Sequence, residues 1–429
     1  MNLKDSSFEK LPNEVEKLKH LRLLNLSGSN ITELPEMMCN LCNLQTLDIS
    51  GCGQIKKLPQ GMGKLIKLRH LLIDDCEELT EPFPKGIGRL SSLRTLNRFI
   101  IGGLNNFGEC KLGDLKNLVH LKGYLGIEGL QNVTDVQEAE NAQLKRKIHL
   151  RELNLSGGND ELVLNALEPH PELESLWIQY YRGTGYPNWV MSLTNLKKLV
   201  LGDCNKLVQL PPLGKLRFLE SLEIWASDSM KKVGVEFLGI ESNRKKDEEK
   251  GSTSTSSLVL FPSLKYLDLR FMEEWEEWDG KGESGVSESV LIMPCLQVLT
   301  IQQCPKLKSL PNFLEKTLLE EFIVDCRISN AMTLACHLPR LKSLRCDNLN
   351  SGEHFPTLGK LLFLESLMIC DAESVKKVGF EFLGIEEESN NNNNNKKIDE
   401  EKGSTSSSSS LVLFPNLKSL KFWRLKEWE

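Results

Sequence analysis

The residues of this sequence that could carry chemistry on their own are its twelve cysteines and seven histidines. Cys39 and Cys42 have the Cys-x-x-Cys spacing of a zinc or redox site. No second cysteine pair or histidine lies nearby, so we expect two buried or partly buried thiols. The histidines are scattered, and four of them occupy a solvent-edge position beside a leucine or a basic residue, which argues against catalysis: His20, His70, His120 and His149.

Motifs for nucleotide binding and acyl transfer are also missing from the sequence. A phosphate loop needs Gly-x-x-x-x-Gly-Lys-Ser/Thr, because its backbone N–H groups cradle the phosphates. The nearest run, Gly61 to Leu65, lacks the first glycine at the right spacing and the hydroxyl residue. No Gly-x-Ser-x-Gly elbow occurs. We therefore predict no enzyme activity, no metal and no cofactor in this chain.

Length and charge exclude further classes of protein. A chain of 429 residues is too long for one globular core. A net charge of −6 argues against a nucleic-acid partner. No run of 18 apolar residues is present, so we expect no membrane span, and the polar start shows no secretory signal. We expect a cytoplasmic protein with reduced cysteines.

A short leucine frame recurs along the chain and must position everything else. Leu21, Leu24 and Leu26 begin one copy, and the starting leucine returns after 23 and then 24 residues, at Leu44 and Leu68. This period is typical of leucine-rich repeats. The alternating x-Leu-x-Leu-x segment predicts a short strand whose leucines share one face. Stacked copies would form a parallel sheet with a continuous core.

The frame predicts an α/β leucine-rich-repeat solenoid shaped as a horseshoe. The parallel sheet would line the concave face, and irregular or short helical segments would form the convex face. A cysteine recurs where the chain turns off the strand, at Cys52, Cys76, Cys204 and Cys304, and we expect it to be buried and structural. The Leu-Pro step, as in Leu34-Pro35, would end the turn that follows each strand, because proline disfavours helical conformation in the residue before it.

The array divides into regular zones and polar interruptions. We expect regular repeats at 1–96 (the first one cut), 150–240 and 258–385, with a final truncated repeat at 411–429. Residues 97–149 are less regular, and Asp135–Lys147 predicts a connector helix, with acids first and bases last. The polar stretches 241–257, 279–289 and 386–410 are expected to be disordered. Leu213–Glu241 and Leu358–Glu386 are near-copies of each other.

Particular blocks of sequence indicate a family. Leu112–Gly157 and Pro169–Ile178, with Gly185-Tyr186-Pro187-Asn188-Trp189 after them, resemble the repeat region of plant coiled-coil nucleotide-binding leucine-rich-repeat disease-resistance proteins. The resemblance implies an intracellular immune receptor in which a coiled coil and an ADP/ATP-switch ATPase module precede the repeats. The repeats would restrain that module and sense pathogen effectors or guarded host proteins, leading to defence signalling.

Residues flanking the strand leucines should point onto the concave face and form a partner-binding surface. Exposed aromatic side chains tend to anchor interfaces, and acidic side chains would favour a basic partner such as the ATPase module. The candidates are Trp177, Tyr180, Trp225, Phe271, Trp423, Asp48, Asp74, Asp75, Asp203, Asp268 and Arg270. We expect the ring area of Trp177 and Tyr180 to combine.

Two other hypotheses stay open at this level. The chain could be the substrate arm of a ubiquitin-ligase complex, which an upstream F-box-like segment would indicate. The cut repeats at both ends also fit a non-functional, truncated receptor fragment.

Overall fold

The computed structural model describes residues 1–103, 108–158, 160–240, 258–280, 290–348, 358–371 and 414–424. Within these ranges the chain repeats one unit, a short parallel strand followed by a turn, a loop and in many copies a short helix. The expected polar segments 241–257 and 386–410 lie outside the described residues. Of 279–289, Asp279 is placed, and its backbone N–H donates to the Val233 carbonyl at 2.9 Å; residues 281–289 lie outside the described part.

The strands form two main parallel sheets, one of four strands and one of twelve. The first sheet contains β1 Leu23–Asn25, β2 Thr46–Asp48, β3 His70–Leu72 and β4 Thr95–Leu96. The second contains β5 Arg98–Ile100, β6 Lys122–Glu128, β7 His149–Ser156, β8 Ser175–Gln179, β9 Lys198–Gly202, β10 Ser221–Trp225, β13 Tyr266–Arg270, β16 Val298–Gln302, β17 Glu321–Asp325, β18 Ser343–Asp347, β19 Ser366–Cys370 and β20 Ser419–Trp423. Two small parallel pairs join β11 Lys232–Val233 to β14 Glu277–Trp278 and β12 Val259–Leu260 to β15 Leu291–Ile292.

Strand register places equivalent leucines side by side. Leu176 pairs with Leu199, and Leu199 with Leu222, and all three are almost fully buried. The same alignment runs through most of the array and produces one continuous apolar core. Because a single repeat cannot cover its own leucines, each copy is stabilised by its neighbours. The predicted solenoid with a parallel sheet is confirmed.

The two sheets meet at Asn97, which separates β4 from β5. Its carbonyl accepts the Gly126 N–H at 2.7 Å, so hydrogen bonding continues across the break. Arg98 then bridges both sides. Its guanidinium donates to both Glu128 carboxylate oxygens at 2.7 and 2.8 Å and to the Cys76 carbonyl at 3.1 Å. The predicted irregularity after residue 96 therefore begins as a change of sheet.

The helices are short. The α-helices are α1 Val136–Asn141, α2 Glu161–Ala166, α3 Val235–Leu238 and α4 Ala331–His337. The 3₁₀-helices span Asn13–Lys17, Glu36–Asn40, Gln60–Lys64, Lys85–Arg89, Leu112–Asn117, Leu130–Asn132, Leu144–Arg146, Asn188–Ser192, Leu213–Lys215, Asn312–Lys316 and Leu358–Lys360. None of the helices in the described ranges is long and apolar enough to cross a bilayer. Proline in extended conformation immediately precedes several 3₁₀-helices, as Pro35 does, so the Leu-Pro step starts a short helix as well as ending a turn.

The predicted connector helix Asp135–Lys147 is wrong in length. Asp135 caps α1 by accepting the Gln137 N–H at 2.9 Å, but the helix ends at Asn141. Gln143 has a left-handed backbone (φ 49°), which an α-helix cannot contain. A separate turn, Leu144–Arg146, follows it.

That change of direction carries Lys147 into the core, where it is fully buried. Its Nζ donates to the carbonyls of Leu115 and Leu118 at 2.7 and 3.1 Å, at the end of the helix Leu112–Asn117. The Leu115 carbonyl also accepts the Leu118 N–H at 2.9 Å, so the ammonium adds a second, charged donor at the negative end of this helix. Burial, with a smaller contribution from Arg146, lowers the pKa of Lys147 to about 8.

The strand-exit corner has two recurring features. One residue has a left-handed backbone in many copies, three residues past the strand in the first sheet and directly after it in the second: Gly28, Gly51, Asp75, Gly157, Tyr180, Asp203, Ala226, Phe271, Gln303, Asn348, Asp371 and Arg424. The next residue is often a buried cysteine. The thiols of Cys52 and Cys76 donate to the carbonyls of Leu26 and Ile49, each at 3.1 Å, so these two thiols bind the preceding repeat.

The four cysteines at the strand-exit corner are buried, as predicted. Cys52, Cys76, Cys204 and Cys304 are all buried. Burial raises the pKa of the Cys204 and Cys304 thiols to about 12. Such thiols stay protonated at neutral pH and are poor nucleophiles.

Replacing one cysteine at the strand-exit corner should weaken the packing between neighbouring repeats. We expect Cys52→Ala to lower the free energy of unfolding by about 1–2 kcal/mol, because it removes a buried sulfur and a bond between repeats. Urea denaturation followed by circular dichroism measures this. Cys42→Ala, at an exposed thiol, is the matched control, and equal effects of the two changes would contradict the argument.

Lys147 should make stability depend on pH. Between its folded pKa of about 8 and its ordinary 10.5, the unfolded state binds more protons than the folded state. Wild-type stability should therefore rise across this range by roughly 2–3 kcal/mol relative to Lys147→Met, which has no proton to lose. Urea unfolding at about pH 7.5 and about pH 10 tests this. Lys19→Met, at an exposed lysine, should show no such divergence from wild type, and a constant gap for Lys147→Met would refute the prediction.

Candidate protein-interaction surface

The concave face consists of the strand side chains that alternate with the buried leucines. On β8, Leu176 and Ile178 point into the core, while Ser175, Trp177 and Gln179 are partly exposed. In-register pairing aligns equivalent outward positions from strand to strand, about 4.8 Å apart. Side chains from several repeats therefore act together on one surface.

Trp177 is held in place by residues of the neighbouring strands. Its ring meets the Tyr124 ring edge to face, with centroids 6.1 Å apart and planes at 76°. On the other side, the Lys198 ammonium lies 5.7 Å from the Trp177 ring centroid and 2.7 Å from the Glu223 carboxylate. The expected combination of Trp177 with Tyr180 is not what the structure shows: the aromatic partner of Trp177 is Tyr124, from β6.

Trp225 rests on a strand that has no side chain at the facing position. Its register partner on β9 is Gly202, and a Cβ built there would lie 2.3 Å from Trp225 Cζ2. On the opposite side the register partner is Arg270, whose Nε donates to Asp268 at 2.6 Å. Burial is the largest influence on the Asp268 carboxyl and raises its pKa, against the lowering effect of Arg270.

These residues form one patch, which we call the aromatic centre: Tyr124, Trp177, Lys198, Glu223, Trp225, Asp268 and Arg270, on β6 to β13. Trp423 lies on β20, five strands beyond β13, and is 58% exposed. The structure thus brings Trp177, Trp225, Asp268 and Arg270 together and leaves Trp423 apart.

Four candidates do not lie on the sheet face, so that part of the prediction needs correction. Asp75, Tyr180, Asp203 and Phe271 occupy the left-handed corner after the strand. Their side chains belong to the strand-exit edge, where Tyr180 is 52% and Phe271 47% exposed. Asp74 lies just past the end of β3, and its carboxylate accepts a hydrogen bond from the Asn97 amide. Asp48 lies on β2 as expected.

Reasoning from sequence missed several members of this surface. Tyr124 and Lys198 carry no motif, and only the pairing of β6 to β9 shows that they contact Trp177. Asp325 was also missed. Its side chain is 1% exposed, and it accepts from Arg327 at 2.5 Å and from Asn348 at 3.1 Å. The Asp-x-Arg spacing on an exposed strand end is the one signal that could have indicated it.

Comparison with known proteins gives the family. Residues 2–240, more than half of the chain, match the family model described as leucine-rich repeat region. The chain belongs to this family of leucine-rich-repeat regions. The solved leucine-rich-repeat protein LIC12759 of Leptospira interrogans is similar over 86% of this chain and 78% of its own, with 20% identity and a TM-score of 0.48.

Curated relatives of this leucine-rich-repeat chain are disease-resistance proteins. A putative disease resistance protein of Arabidopsis thaliana is 37% identical over 76% of this chain, and Disease resistance protein RGA2 of Solanum bulbocastanum is 34% identical over 83%. The match spans 23% of the first relative and 36% of the second. The resemblance inferred from the sequence is confirmed. Leucine-rich-repeat folds typically serve as scaffolds for protein interactions and not as enzymes.

Gly202 should control the position of the Trp225 ring. We expect Gly202→Ala to push the ring outward, because the new Cβ would overlap it. The measurement is tryptophan emission with acrylamide quenching, which should show a red shift and faster quenching. The change should vanish when Gly202→Ala is made in a Trp225→Phe background. Persistence of the shift in that background would show that another tryptophan moved.

Proposed function

We propose that this chain is the protein-interaction module of an intracellular plant immune receptor and that it binds its partner through the aromatic centre. The observation that carries the proposal is the pair Trp177 and Trp225, two partly exposed indoles two strands apart on the concave face. Tryptophan, tyrosine and arginine are the residues most enriched among binding hot spots. The names of the relatives supply the biological setting.

The geometry favours binding because the rings are already ordered. Tyr124 and Lys198 fix Trp177, and the bare Gly202 backbone receives Trp225. A preorganised side chain loses little conformational entropy when a partner arrives. The charged members are paired with each other, Lys198 with Glu223 and Arg270 with Asp268, so they surround the rings without adding a strong net charge.

The partner would be a protein: a pathogen effector, a guarded host protein or the ATPase module of the same receptor. Binding to the ATPase module would restrain it, and Asp48, Asp74, Asp75 and Asp203 would favour a basic face on it. The module itself would act in the cytoplasm, without catalysis and without a cofactor of its own. The relatives are resistance proteins, so the ubiquitin-ligase adaptor is not favoured.

Removing both indoles should weaken binding. We expect Trp177→Ala with Trp225→Ala to reduce affinity at least about tenfold for the coiled-coil and ATPase segment that the family resemblance implies for the same receptor. A pull-down titration with that segment provides the measurement. Phe218→Ala, an exposed aromatic between the strands, is the matched control and should bind like the wild type. Unchanged affinity of the double variant would remove the aromatic centre from the interface.

A further inference from the structure

One backbone position recurs just before each strand and forms a ladder of its own. In the first repeats it is occupied by Arg22, Gln45, Arg69, Arg94 and Lys122, and each of the last four donates its backbone N–H to the carbonyl of the one before it, at 2.7–3.0 Å. The same bonding continues later through Glu174, Lys197, Glu220, Lys265, Gln297, Glu320, Lys342, Glu365 and Lys418. Side chains at this position therefore share one edge of the sheet, the strand-entry edge.

In the later repeats this position alternates in charge and is paired. Lys197 lies 2.7 Å from Glu174, and Lys265 lies 2.7 Å from Glu220. Lys342 pairs with Glu320, and Lys418 with Glu365, at the same distance. Exposed pairs of this kind add little stability, but they cancel the charge of this edge locally.

In the first repeats the same position holds cations without acids. Arg22, Arg69, Arg94 and Lys122 are exposed, and within the described residues none of them has an ion-pair partner. His70 lies among three of them. Burial is the main cause of its lowered pKa, and Arg94, Lys122 and Arg69 lower it further.

A second row of cations lies five or six residues earlier in each of these repeats, at the ends of the short helices. Lys17, Lys64, Arg89, Lys116 and Arg146 lie at or next to the last residue of their helices. Arg89, Lys116 and Arg146 line one open hollow of about 470 Å³, together with Ser91 and Asn117. Among the residues that the structure describes, no acidic side chain lines it. The helix dipole accounts for bases in this second row, but it does not account for the first row, which precedes strands.

A group of acidic residues in these repeats lies on the opposite, strand-exit edge, while Glu14, Glu16, Glu36 and Asp114 lie in the short helices. Asp74, Asp75, Glu77, Glu78 and Glu81 are all exposed on the strand-exit edge. In the first repeats the strand-entry position therefore carries positive charge and the strand-exit edge negative charge, although the chain as a whole is negative. A surface of uniform sign attracts and orients a partner of opposite charge.

We propose that the basic edge, formed by Arg22, Arg69, Arg94 and Lys122 with Arg89, Lys116 and Arg146, is a second docking surface that binds an acidic peptide segment of a partner protein. The spacing supports a helical segment. Neighbouring strands are about 4.8 Å apart, close to the 5.4 Å pitch of an α-helix, so carboxylates on successive turns can meet cations of successive repeats. Guanidinium groups bind carboxylates through two parallel hydrogen bonds, which suits the arginines of this edge.

A peptide fits the edge better than a nucleic acid does. Proteins that bind single strands add aromatic side chains on which bases stack, and the aromatic centre lies on the concave face and not on this edge. The acidic strand-exit edge would also repel a long polyanion that wrapped around the sheet.

The test uses the full chain and a fluorescein-labelled peptide of repeated Glu-Glu-Ala-Ala, about 20 residues long, so that it spans about 30 Å as a helix. Fluorescence anisotropy gives its affinity at about 50 mM and about 300 mM salt. Arg69→Gln, Arg94→Gln and Lys122→Gln together should weaken binding at least about tenfold at the lower salt concentration and reduce the salt dependence.

The matched control neutralises three lysines at the same repeat position that are already paired: Lys197→Gln, Lys265→Gln and Lys342→Gln. This control should change affinity less than about twofold. Equal losses in both triple variants, or no binding by the wild type, would overturn the proposal. Tighter binding of a single-stranded oligonucleotide of equal charge would overturn it in favour of nucleic acid.

Two further measurements keep the result interpretable. Circular dichroism should show the same spectrum for both triple variants, and if the first variant fails to fold, Arg94→Gln alone should still weaken binding measurably. The Trp177→Ala and Trp225→Ala variant should bind the acidic peptide normally, because the basic edge is intact in it. The basic edge and the aromatic centre can therefore fail independently.

Discussion

The structure depends on one constraint: the strand leucines of each repeat are covered by the same leucines of the next. Leu176, Leu199 and Leu222 illustrate it, because they are register partners on successive strands and all three are almost fully buried. The stack therefore tolerates large differences between repeats as long as strand register is kept. The thiols of Cys52 and Cys76 reinforce the same contact by binding carbonyls of the preceding repeat.

Much of the fold could be predicted because this constraint requires leucines at a fixed spacing, and that spacing is visible in the sequence. The strands, their parallel order and the buried cysteines all follow from the leucine frame. The break at Asn97 and the early end of α1 did not follow, because each depends on a single backbone conformation. Lys147 illustrates the difficulty. A lysine near other cations is expected on the solvated surface, and only the turn at Gln143 places its ammonium on the Leu115 and Leu118 carbonyls.

The candidate surface was predictable to a smaller extent. Alternation correctly placed Trp177 and Trp225 on the sheet face, but it could not distinguish the last strand residue from the left-handed corner. Glycine would mark that corner, yet Tyr180, Ala226 and Phe271 also occupy it. Contacts between repeats were beyond prediction for a related reason: Tyr124 and Trp177 are 53 positions apart in the sequence and meet because β6, β7 and β8 are adjacent.

The packing of Trp225 against Gly202 shows a constraint on the side chains that can occupy the candidate surface. In the near-copy of its segment, the equivalent residue is Cys370, and the facing residue on the previous strand is Asp347 in place of Gly202. In one copy the large indole of Trp225 faces a glycine, and in the other the small thiol of Cys370 faces the aspartate side chain. At these two places side-chain size is thus divided between facing residues of adjacent strands, so a larger residue on one strand calls for a smaller one opposite it.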